Sequence, residues 1–61
     1  MDYENQEFEF KIYKDENFTN KSFKNSNFND CVFENCNLSN VNLENARMQD
    51  VVFKKCKLLG L

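Results

Sequence analysis

The chain has 61 residues, ten of them acidic and eight basic, for a net charge of −2, with no histidine, tryptophan or proline and a single glycine. A chain of this length makes one small domain and buries only about 60% of its unfolded surface, so staples or partners matter to its stability. The near-neutral balance excludes a basic nucleic-acid footprint, and the absence of any apolar run of ten residues excludes a membrane-spanning helix.

In chain order, Met1 to Glu7 reads as polar and outside any pattern. The start, MDYENQEFEF, is acidic and lacks the apolar core of a signal peptide, so a cytoplasmic protein is expected. The next stretch, FEFKIY, alternates Phe8, Phe10 and Ile12 at period 2, the pattern of a short strand. Over it begins a second rhythm. A bulky apolar residue recurs at every fifth position: Phe8, Tyr13, Phe18 and Phe23, then Phe28, Phe33, Leu38, Leu43, Met48, Phe53 and Leu58. A period of five is neither that of a helix nor that of a strand. It requires a backbone that turns the same corner after every short segment, which is the mark of a repeat architecture.

Two further columns run in phase with this ladder. Eight successive corners carry Asp15, Asn20, Asn25, Asp30, Asn35, Asn40, Asn45 and Asp50, followed by Lys55 and Gly60. Asn and Asp bond their neighbouring backbone and tolerate unusual φ/ψ, so this column reads as turns. The third column is small or apolar from Ser26 onward: Cys31, Cys36, Val41, Ala46, Val51, Cys56 and Leu61 complete it. Two residues in every five then point inward, a large one and a small one. A square coil satisfies this, with four five-residue sides and each side stacked on the coil below. The segments CNLSN, VNLEN and ARMQD, with SNFND and CVFEN close to them, resemble the pentapeptide repeat family over about residues 11–60. That resemblance implies an all-β fold, a right-handed quadrilateral β-helix (β-solenoid) of just under three coils of four five-residue sides. The tail VVFKKCKLLGL is similar to a segment of the family's quinolone-resistance branch, whose members are bacterial DNA mimics that bind DNA gyrase or topoisomerase IV and protect against quinolones.

Stacking residue i on i+20 places Lys11, Glu16 and Lys21 in the small inward column of the first coil. Burying them unpaired would cost several kcal/mol each. Residues 1–25 are therefore expected to form an N-terminal cap and irregular first coil, and residues 26–61 the regular coils. The C-terminal end is expected to be uncapped, with Leu58, Leu59 and Leu61 exposed. Either the chain is part of a longer solenoid or this end docks onto another copy as a homodimer; the family resemblance implies both habits. Ile12, Val32 and Val52 form a β-branched stripe on an outer side, which reads either as strand propensity or as a second interface.

The sequence carries no chemistry beyond this. Cys31, Cys36 and Cys56 fall in the small inward column, lack metal-ligand spacing and have no histidine to complete a site. The carboxylates are scattered over outward and corner positions, with no nucleophile or phosphate loop beside them. No catalytic, metal or cofactor residue is assigned. The leading expectation is a non-enzymatic scaffold or protein-interaction module with no direct nucleic-acid or membrane contact. The alternatives are the topoisomerase-binding DNA mimic and a fragment with no independent function. The charge argues against the mimic, because residues 1–30 carry −3 and residues 31–61 carry +1.

Overall fold

The computed structural model describes residues 2–60. Every fifth residue from Asn5 to Gly60 has a left-handed backbone, with φ of 54–62° at the eleven non-glycine positions and 76° at Gly60. These are the corners. Asn and Asp occupy nine of them, because a short polar side chain enters the left-handed region at least cost among residues that bear a Cβ.

Between the corners lie six strands of three residues each: β1 (Glu7–Glu9), β2 (Ile12–Lys14), β3 (Asn27–Asn29), β4 (Val32–Glu34), β5 (Arg47–Gln49) and β6 (Val52–Lys54). They form two parallel three-stranded sheets, β1-β3-β5 and β2-β4-β6. The strands thus stack in three levels, with β1 and β2 on the first, β3 and β4 on the second, and β5 and β6 on the third. The register is twenty residues throughout, with Phe8 on Phe28 on Met48 and Tyr13 on Phe33 on Phe53. The other two sides are held by single bridges, Asn17 to Asn37 to Lys57 and Ser22 to Asn42. There the Asn17, Asn37 and Asn42 side-chain oxygens accept the N–H groups of Thr19, Ser39 and Glu44 at 2.9–3.0 Å, satisfying backbone that the short bridges leave free. No helix occurs among the described residues.

Three features of the N-terminus differ from what the sequence leads one to expect. The alternation Phe8–Phe10–Ile12 is not one strand. Phe10 is a corner with φ 55° and 77% exposure, and it separates β1 from β2. The first coil is also not irregular in its backbone, since β1 and β2 pair in the same register as every later strand. The segment before Glu7 belongs to the pattern as well. Asn5 is a corner, and Tyr3 lies five residues before Phe8. The Tyr3 ring stacks on Phe23 at 5.3 Å and meets Phe18 edge-on at 5.7 Å, while the Tyr3 N–H donates to the Ser22 carbonyl at 2.8 Å. Tyr3 therefore covers the N-terminal mouth of the interior. The charged residues of that level stay in water, with Gln6, Lys11 and Glu16 exposed and Lys21 half-buried. This avoids the desolvation that would otherwise exclude them.

The core runs through the first two levels. Phe8, Phe18, Phe23, Phe28, Cys31, Phe33, Cys36, Leu38 and Val41 are its buried members. In-register stacking brings like rings face to face, as in Phe8–Phe28 at 4.7 Å, Tyr13–Phe33 at 5.1 Å and Phe33–Phe53 at 5.2 Å. Neighbours around one level meet edge-on, as Phe23 and Phe28 do at 5.2 Å. Each fully buried Phe contributes roughly 1.5–3 kcal/mol by transfer, with about 1 kcal/mol more from ring geometry.

Candidate functional site

The small inward column satisfies its own polar atoms. Ser26, fully buried, donates its hydroxyl to the Tyr3 carbonyl and accepts the Gln6 N–H at 3.1 Å. The cysteine thiols repeat that arrangement. Each donates to the carbonyl two residues back and to one on the level above: Cys31 to Asn29 and Phe8, Cys36 to Glu34 and Tyr13, Cys56 to Lys54 and Phe33, all at 3.2–3.4 Å. Burial pushes the Cys36 thiol above its ordinary 9.0, with the Cys56 thiol adding to the effect. Burial likewise raises Tyr13 above its ordinary 10.0.

The expected site residues separate by level. Of the ladder, Phe28, Phe33 and Leu38 are buried, Leu43 and Phe53 are half-buried, and Met48 and Leu58 are exposed at 38% and 41%. Of the small column, Ser26, Cys31, Cys36 and Val41 are buried, whereas Ala46, Val51 and Cys56 are half-buried. Leu61 lies outside the described residues. The stripe on the outer face of β2-β4-β6 has Ile12 at 73% exposure, Val52 at 45% and Val32 half-buried between them. Leu59, 75% exposed, is not part of it; its carbonyl accepts the Asn40 N–H on a different side. The expected interface residues therefore do not converge on one surface.

What does converge is the underside of the third level. Leu43, Met48, Phe53 and Leu58 form an apolar floor. Only a dry space of about 10 Å³ remains among Phe23, Phe33, Leu38, Val41 and the floor residues Leu43, Met48 and Phe53. The backbone there is also left unfinished. On upper levels each corner N–H donates downward, as Asn25 does to Glu44 and Asn35 to Lys54. Each small-column carbonyl accepts from below, as Ser26 does from Arg47 and Cys31 from Val52. The equivalent N–H groups of Asp50 and Lys55 and carbonyls of Val51 and Cys56 have no further level beneath them among the described residues.

The titratable side chains make no such convergence. Glu7 accepts from Asn27 at 2.6 Å and Asp15 from Asn35 at 2.7 Å, both exposed rungs along a column. Lys24 and Glu44 approach to 4.0 Å at the surface. No cluster of metal-ligating side chains occurs among the described residues, and no helix there is long and apolar enough to cross a membrane.

The family model described as Pentapeptide repeat region matches residues 7–61. Spanning nearly the whole chain and agreeing with the twenty-residue register, that match shows that the chain belongs to the pentapeptide repeat family. No curated protein and no solved structure matches it. Two members of the pattern escape a reading of the residues alone, Tyr3 as the first rung and Phe10 as a corner. Each lies five residues before a recognised position, Phe8 and Asp15 respectively.

Proposed function

We propose that the chain is a non-enzymatic scaffold, a right-handed square β-helix of just under three coils whose C-terminal end docks against the same end of a second copy. The carrying observation is the apolar floor of Leu43, Met48, Phe53 and Leu58, edged by backbone groups that have no further level beneath them among the described residues. An exposed parallel edge of this kind is a template for further pairing. The opposite end is a poor occupant, because it presents Gln6, Lys11 and Glu16, whose burial against leucine and phenylalanine would be opposed by desolvation. Like ends match instead, and an isologous contact closes at two copies rather than growing into a fibre.

The end is small. Bounded by extents of 24 × 22 Å, it offers at most on the order of 500 Å² per copy, which places the pair among weak interfaces with micromolar or weaker affinity. Light scattering behind size exclusion, over a protein series from about 10 μM to about 1 mM, is expected to show a monomer passing to a dimer. Met48→Lys is expected to hold the chain monomeric with an unchanged β circular-dichroism signature. A wild type that stays monomeric throughout the series sinks the docking, and a Met48→Lys variant that still dimerises moves the interface elsewhere.

A further inference from the structure

The bridge from Asn37 to Lys57 sets Cys36 directly over Cys56, the only two thiols stacked one upon the other at the twenty-residue register. Cys31 stands over Val51 instead, by the register of Val32 on Val52. We propose that Cys36 and Cys56 are a thiol-modification site, converted to a disulfide by exchange with a low-molecular-weight disulfide such as oxidised glutathione, and that the bond fastens the third level to the second. This goes beyond the docking reading and concerns the undocked monomer, in which the floor beside Cys56 is uncovered.

Three observations support it. Neighbouring parallel strands run about 4.8 Å apart, within the roughly 4.4–6.8 Å that a disulfide spans between Cα atoms. The Cys56 thiol already reaches up to the level of Cys36, where it donates to the Phe33 carbonyl at 3.2 Å. The two thiols also differ in access. Cys36 is 2% exposed, while Cys56 is half-buried on the open floor and so meets a reagent first.

The exchange balances in two steps. The Cys56 thiolate attacks one sulfur of the reagent, forms a mixed disulfide and expels one reagent thiolate, which takes up the proton that Cys56 lost. The Cys36 thiolate then attacks the Cys56 sulfur, forms the intramolecular bond and expels the second reagent thiolate, which takes up the proton of Cys36. Two protein thiols and one small disulfide thus become one protein disulfide and two small thiols. Burial raises the Cys36 pKa, so the second step is the slower one and accelerates with pH.

The test is incubation of the folded monomer with oxidised glutathione, followed by intact mass and peptide mapping. Wild type is expected to lose two hydrogens, with Cys36 and Cys56 recovered in one cross-linked peptide pair. The oxidised protein should melt higher by on the order of 10 °C, reversed by a reductant. Cys36→Ser should stop at a stable mixed disulfide on Cys56, Cys56→Ser should give no intramolecular disulfide, and Cys31→Ser should behave as wild type. Serine is a fair replacement here, since Ser26 already makes the same carbonyl bond in the small inward column. A wild type that stops at the mixed disulfide, or cross-links through Cys31 or between copies while its circular dichroism stays native, overturns the assignment.

Discussion

Phe10 holds a left-handed backbone at a corner where the next eight corners are Asn or Asp, and its ring stands in water. A bulky residue in that region is strained by roughly 1–2 kcal/mol, because its Cβ crowds the next carbonyl. Phe10→Asn is therefore expected to stabilise the chain by about 1 kcal/mol, read as a higher urea midpoint at unchanged slope. A lower midpoint would mean that the ring makes a contact worth more than the strain. At the same scale, Tyr13 and Cys36 bind their protons more tightly folded than unfolded. Their contribution is complete below the ordinary values of 10.0 and 9.0 and is lost as pH rises through the higher folded values. The urea midpoint should hold up to about pH 8 and fall by about pH 10.5, and Tyr13→Phe should shallow that fall.

The repeated element is the five-residue side, and what distinguishes one side from another is its level. Among the described residues, ladder residues of the second level have a neighbour above and below, whereas those of the third have one above only. Phe28 is 1% exposed for that reason, and Met48, directly beneath it, is 38% exposed. Phe28→Asp is expected to abolish folding, with a loss above about 4 kcal/mol, because a carboxylate there has neither water nor a partner. Leu43→Asp, on the half-open third level, should cost about 2 kcal/mol and leave a folded population by circular dichroism. Equal losses at the two sites would show that the third level is as closed as the second. The aromatic stacks argue for the same ranking, since Phe33 has rings on both faces and Phe53 on one.

At the scale of the whole molecule, charge and shape decide what the chain can meet. Six of the ten acidic residues lie within residues 2–25, where Lys11, Lys14, Lys21 and Lys24 are interspersed with them, and the other four basic residues lie between Arg47 and Lys57, so no continuous negative face runs along the molecule. Micromolar protein is expected to leave supercoiling by DNA gyrase unchanged, with or without quinolone, because a mimic of duplex DNA needs dense negative charge along its length. Protection in that assay would restore the topoisomerase reading.

The period of five, the corner chemistry and the inward pair of columns were all legible in the residues, from Asp15 to Leu58. Each is a local requirement: a left-handed corner selects Asn or Asp, and an inward position excludes charge. Tyr3 and Phe10 escaped because short-range signals spoke louder, a polar neighbourhood around the one and a period-2 alternation around the other. The degree of burial along the ladder was not legible. The ladder reads as uniform from Phe28 to Leu58, yet its accessibility depends on what lies twenty residues away, and that is a property of stacking. By itself, then, the sequence determined the repeat, its corners and its interior. Only the tertiary structure decided that Tyr3 packs over Phe18 and Phe23 on the first level while Leu43, Met48, Phe53 and Leu58 have no level beneath them among the described residues, because burial depends on which level has a neighbour and not on what any residue prefers.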